Sequence, residues 1–205
     1  MYVIIRKYSG KGGLMDRLAP QVRDGLVPLL RQAPGFRSYC ALASEDGHLV
    51  SVSAFDDRSN ADAANDKARE WVAANMRDAL PDPPEVLAGE VRRELSGQAQ
   101  SGAEGGYVAI RQYDGVRSIE RLSALADEHV LPVIRQAPGL RRHYTLTSGE
   151  ERGHVVAVSM FDTRENAMRV SDQVVGIMRE RAKELAPNPP RVTAGKAVVA
   201  AAAAA

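Results

Sequence analysis

PLLRQAPGFR at Pro28–Arg37 returns as PVIRQAPGLR at Pro132–Arg141, and the rest of the chain repeats around that pair. Upstream, YVIIRKYSG at Tyr2–Gly10 matches YVAIRQYDG at Tyr107–Gly115. Downstream, GHLVSVSAFDDRSNA at Gly47–Ala61 matches GHVVAVSMFDTRENA at Gly153–Ala167, and PDPPEVLAG at Pro81–Gly89 matches PNPPRVTAG at Pro187–Gly195. Order and spacing are kept. A solenoid needs three or more short units to bury its faces, so two long copies mean a duplicated domain. The reading divides the chain into a first repeat, 1–93, a linker, 94–106 (ELSGQAQSGAEGG), a second repeat, 107–199, and an alanine tail, 200–205.

Each copy carries the same elements. Tyr2–Tyr8 is short, β-branched and aromatic, and ends at Ser9-Gly10, as a strand does. Leu18, Val22, Leu26, Leu29 and Leu30 then fall at helical spacing, matched by Leu122, Ala126, Val130, Val133 and Ile134. Pro28 and Pro132 lie inside these helices and should bend them, freeing the carbonyls of Asp24 and Glu128. Pro34-Gly35 and Pro138-Gly139 suit a turn with a left-handed glycine. Phe36–Ala43 and Leu49–Phe55 read as a hairpin. Asp57 and Thr163 are placed to cap a second helix with Ala61, Ala64, Ala68 and Trp71 on one stripe. Glu85–Arg92 completes the copy as a strand, in which Gly89 (and Gly195 in the second copy) suggests a bulge or a close backbone approach. The order is βαββαβ, twice, a ferredoxin-like unit whose bare sheet face needs a cover. The expected fold is α+β: two ferredoxin-like repeats forming a dimeric-type α/β barrel within one chain.

Composition sets limits on function. The 205 residues hold 27 Lys+Arg against 26 Asp+Glu, without the gathered basic excess of a nucleic-acid binder. One cysteine, Cys40, excludes an intrachain disulfide framework, and four histidines without ligand spacing predict no metal site. The opening MYVIIRKYSG is too short an apolar run for a signal peptide, and no stretch is apolar enough to span a membrane. A cytoplasmic location is therefore expected. No phosphate loop or G-x-S-x-G elbow is present, which disfavours nucleotide binding and serine hydrolysis.

Several side chains stand out. Strand alternation puts Arg6 and Tyr8 on one face of the first strand, repeated by Arg111 and Tyr113. A mid-strand arginine is costly to bury unless it is paired, so it either holds an anionic or phenolate oxygen or makes a rim salt bridge, for instance to Asp56 or Glu90. The second strand carries Tyr39 in one copy and His143 in the other, a difference that predicts unlike pockets. His143 is a candidate proton acceptor. His129, opposite Gly25 of the first copy, falls near the inward stripe of its helix, and Trp71 either packs in the core or walls a pocket between helices and sheet.

The RKY…G strand ending, the PLLRQAPGF turn, the SVSAFDDRSNA junction and the EWV…PPEVLAGEV finish resemble the dimeric α/β-barrel superfamily, in particular antibiotic biosynthesis monooxygenase-like domains. The resemblance implies a barrel that other members assemble from two chains, fused here, with further pairing of barrels left open. It implies a cofactor-independent monooxygenase acting on a small phenolic or quinol-type molecule, with catalytic candidates Arg6, Tyr8, Arg111, Tyr113 and His143 and ligand-binding candidates Trp71, Tyr39 and His129. A non-catalytic small-molecule binder and a structural interaction module are the alternatives. Haem-degrading members use an Asn on the first strand with a Trp and a His at the second helix. This chain offers only Trp71 of the three.

Overall fold

In a computed structural model of the chain, residues 1–97, 106–148 and 153–203 are described. The strands are β1 (Tyr2–Tyr8), β2 (Phe36–Ser44), β3 (Leu49–Phe55), β4 (Glu85–Ser96), β5 (Tyr107–Tyr113), β6 (Leu140–Ser148), β7 (Val155–Phe161) and β8 (Arg191–Ala202). They follow the order β1-β3-β2-β8-β5-β7-β6-β4 and close as a barrel, the expected α+β fold. Two compact units make up the chain. Among the described residues one holds 1–90 and 196–203, the other 91–97, 106–148 and 153–195.

In the first unit, β1 pairs antiparallel with both β3 and β4, setting Arg6 between Ser51 and Val86. β3 is buried along its whole length, so both sheet faces are covered. One face carries Ile4, Tyr39, Ala41, Leu49 and Phe55 into a core shared with the helices. The first helix comes in pieces: α1 (Met15–Gln21), a π turn (Val22–Leu26) and α2 (Val27–Arg31). The π turn stands where Pro28 was expected to bend the helix. Proline lacks an N–H and its ring crowds the carbonyl four residues back. The backbone widens just before it, and Val27 N–H donates to Val22 O instead of continuing the α pattern. α3 (Arg58–Asn75) starts at Asp57, whose side chain accepts from Asn60 N at 2.8 Å.

The second unit repeats this. α4 (Ile119–Leu125), a π turn (Ala126–Val130) and α5 (Leu131–Gln136) precede Pro138-Gly139, and α6 (Arg164–Arg181) is capped by Thr163, accepting from Asn166 N at 3.2 Å. Gly139 has φ +71°, and a Cβ there would lie 1.8 Å from Asp162 Oδ1, so the Pro-Gly turn favours glycine and another residue would have to displace the Asp162 side chain.

Three expectations shift. Glu94–Ser96, read as the start of the linker, extend β4: Leu95 packs on the second unit's core and Gly97 N–H donates to Arg141 O at 3.0 Å. The remaining linker residues, 98–105, lie outside the described residues. Ala200–Ala202, read as tail, belong to β8, because Val199 and Ala201 are buried in the first unit and Ala203 N–H donates to Arg37 O at 2.8 Å. Gly89 pairs in regular register opposite Val3; the register shifts fall beside the Pro-Gly turns, at Phe36/Ser38 and Leu140/Arg142.

Candidate functional site

Between the helices and sheet of the first unit lies a cavity of about 480 Å³, in the size range of ligand pockets. Met15, Leu18, Val22 and Leu26 line it from the first helix, and Ala68 and Val72 from α3. Arg69, Arg77 and Asp82 also line it, and its sheet-side polar lining comes from alternate strand positions that share one face: Arg6 and Tyr8 of β1, Tyr39 of β2 and Ser51 of β3. α3 adds Asn65, which falls one turn before Ala68 in the small-residue stripe. Alanine at 68 leaves the room that a larger side chain would fill.

Arg6 is the electrostatic centre. Its Nη2 donates to Asn65 Oδ1 and its Nη1 to Ser53 Oγ at 3.4 Å. Both partners are neutral, and among the described residues no carboxylate pairs with it. Asp56 instead pairs with Arg37 at 2.6 Å, so the rim salt bridge to Asp56 or Glu90 does not form. Burial pulls the Arg6 pKa below its ordinary value, opposed by Tyr39 and Tyr8; a guanidinium still keeps its proton at neutral pH. The same burial raises the pKa of Tyr8 and, more strongly, of Tyr39, with Arg6 acting against it in each case. Both phenols therefore stay protonated and can donate. The Arg6 end of the cavity is an array of donors around a desolvated cation, complementary to an anionic oxygen.

The corresponding face of the second unit is closed. Arg111 is 0% exposed; its Nη2 donates to Ser159 Oγ at 2.7 Å. Ser159 Oγ also lies 2.9 Å from His143 Nδ1, and His143 Nε2 lies 3.0 Å from Thr145 Oγ1. A neutral His143 satisfies this chain, with Ser159 donating to Nδ1 and Nε2–H donating to Thr145. Burial, with Arg111 adding to it, lowers the His143 pKa to about 3. Both ring nitrogens are thus engaged, and His143 is a neutral member of a buried network.

The remaining candidates lie elsewhere. His129 is partly exposed, its Nε2 3.5 Å from Glu128 Oε1. Trp71 does not line the cavity: its ring packs over Gly25, where a Cβ would meet Cζ2 at 2.3 Å. Sequence reading passed over Asn65, Ser51 and Ser53. Asn65 did leave a signal, a polar residue in an alanine stripe whose repeat counterpart, Ser171, is polar too. Among the described residues no group of three His, Cys, Asp or Glu side chains could hold a metal ion, and no helix is long and apolar enough to cross a membrane.

Comparison with known proteins agrees with the fold. Residues 1–74 match the sequence model of the antibiotic biosynthesis monooxygenase family. A candidate monooxygenase of Fusobacterium nucleatum superposes with a TM-score of 0.78 at 9% identity, covering 98% of this chain and 94% of that one. An anthrone oxidase-like protein superposes with a TM-score of 0.62 at 14% identity, covering 100% of this chain and 94% of that one. A haem-degrading enzyme of Listeria monocytogenes gives 0.51 at 10% identity, over 96% of this chain and 99% of that one. No protein of curated function matches the sequence. At these identities the superpositions speak for the fold alone. Residues 1–74 thus match the antibiotic biosynthesis monooxygenase family model, the whole chain shares its barrel fold with these structures, and the sequence of the matched stretch returns from Tyr107 on.

Proposed function

We propose that the first-unit cavity binds a small phenolic or quinol-type molecule as its anion and that the protein is a monooxygenase needing no bound cofactor. The observation that carries this reading is Arg6: a half-buried guanidinium on the wall of a largely apolar cavity, bonded among the described residues only to neutral Ser53 and Asn65. A phenolate oxygen there would supply the missing counter-charge, with Tyr8 as a second donor. Ionising the phenol makes its ring carbons electron-rich. The phenolate then passes one electron to O2, and the resulting phenoxyl radical and superoxide join at the ring carbon para to the oxygen. The hydroperoxide formed there loses water, leaving a para-quinone. One oxygen atom enters the product and the other leaves as water; the substrate supplies all four electrons, so no external reductant is required.

Anthrone, which ionises to an anthrolate, and methyl-substituted phenols under ¹⁸O2 test the reading. The expected result is oxygen uptake with one ¹⁸O atom per quinone. Arg6→Gln should lower kcat/KM by about 10²–10³-fold, the scale of losing a donor at a developing charge. Unchanged turnover in Arg6→Gln, or no uptake with any probe, would sink it.

One observation favours a second reading, that of a non-catalytic binder. Apart from Asp82, in the exposed Pro81–Pro84 segment, the lining residues include no carboxylate or histidine to take the phenol's proton. A binder would be stabilised by the same phenols without consuming oxygen.

A further inference from the structure

We infer that the second repeat holds a second anion site of the phenolate class, built on Arg111 and Tyr113 and shut in this chain by Val174 and Met178 of α6. The inference rests on the reading of the first-unit cavity given above. Arg111 and Tyr113 occupy the strand positions of Arg6 and Tyr8, and Ser159 that of Ser53. The gripping groups are therefore kept. They are also left unused: Arg111 Nε and Nη1 and the Tyr113 hydroxyl are buried without a hydrogen-bond partner, and among the described residues no carboxylate pairs with Arg111. Buried donors are normally satisfied, so three orphans in one place are groups free to grip an anion once there is room for one.

What has changed is the room. The cavity-lining Ala68 and Val72 of α3 correspond to Val174 and Met178 of α6, which are 2% and 7% exposed and packed in one cluster with Tyr113. Each replacement adds carbon on the inward stripe. At the position of Asn65 stands Ser171, too short to offer the amide that holds Arg6.

The test uses 4-nitrophenol, whose anion absorbs in the visible, with the full-length chain. In an Arg6→Leu background, which removes the first site, binding should be lost. Adding Val174→Ala and Met178→Val, the side chains found at the same positions of α3, should restore one equivalent of bound nitrophenolate. Adding Arg111→Leu should abolish it again, weakening binding at least tenfold. The inference is overturned if the Arg6→Leu/Val174→Ala/Met178→Val protein keeps its circular dichroism and cooperative melt yet binds nothing. Wild type binding one equivalent in that case leaves the first-unit reading standing. Binding by the reopened variant without binding by wild type has the opposite meaning. Should the double truncation not fold, Arg111→Met in wild type decides: a site emptied of its anion gains stability when the unpaired charge is removed, so a raised Tm is expected and a lowered one overturns the inference.

Discussion

Arg6 and Arg111 share a strand position and meet different surroundings, and the difference comes from residues far away in sequence. Alternation along β1 and β5 placed each on its face, which was legible from YVIIRKY and YVAIRQY alone. That Arg6 would find Asn65, or that His143 would meet Ser159, was not, because those partners come from other elements. His143 gives a pH test. Its folded pKa is near 3, against 6.5 ordinarily, so below pH 6.5 the unfolded chain takes up a proton that the folded chain declines. Stability should therefore fall as pH drops from about 6.5 towards 3, by on the order of 1 kcal/mol per pH unit, while above 6.5 the group contributes nothing. Urea midpoints at pH 7 and pH 5 should show a flatter slope in His143→Gln; an equal slope would contradict a buried neutral imidazole. Cys40 gives another. Burial pushes its thiol up to about 12, so the native protein should resist a thiol reagent and react only on unfolding.

Among the elements, caps and breakers were the most readable features, since their physics is local. Asp57 and Thr163 cap α3 and α6 as their types and positions implied. Asp57→Ala should remove about 1 kcal/mol, seen as a lower denaturation midpoint. Pro28 and Pro132 announced an interruption but not its form: a π turn is how this helix accommodates the lost N–H while its ends stay packed on the sheet. Trp71 was legible as a helix residue and not as the lid over Gly25, a contact between two helices. Gly25→Ala should therefore displace the indole, costing about 1–3 kcal/mol and shifting the fluorescence of the chain's single tryptophan to the red. Unmoved fluorescence would mean that the ring is not seated there.

Over the whole molecule, the repeat foretold the fold class, because two βαββαβ copies supply the eight strands that follow one another in the closed order. The ends of β4 and β8 escaped that reading. Glu94–Ser96 are polar and Ala200–Ala202 nearly featureless, and strand pairing there depends on the neighbouring backbone. Residues 196–203 group with the first unit, so deleting 196–205 should unsettle the first core, at the opposite end of the sequence. The lost burial of Val199 alone is about 2 kcal/mol, and hydrogen exchange at β2 should rise with it. The sequence by itself determined the duplication, the element order, the caps and the faces of the strands, all of which follow from local periodicity and backbone chemistry. Only the tertiary structure decided that Arg6 lines a cavity while Arg111 is fully buried. Room is a sum over side chains from several elements, and exchanging Ala68 and Val72 for Val174 and Met178 changes that sum while leaving every local pattern intact.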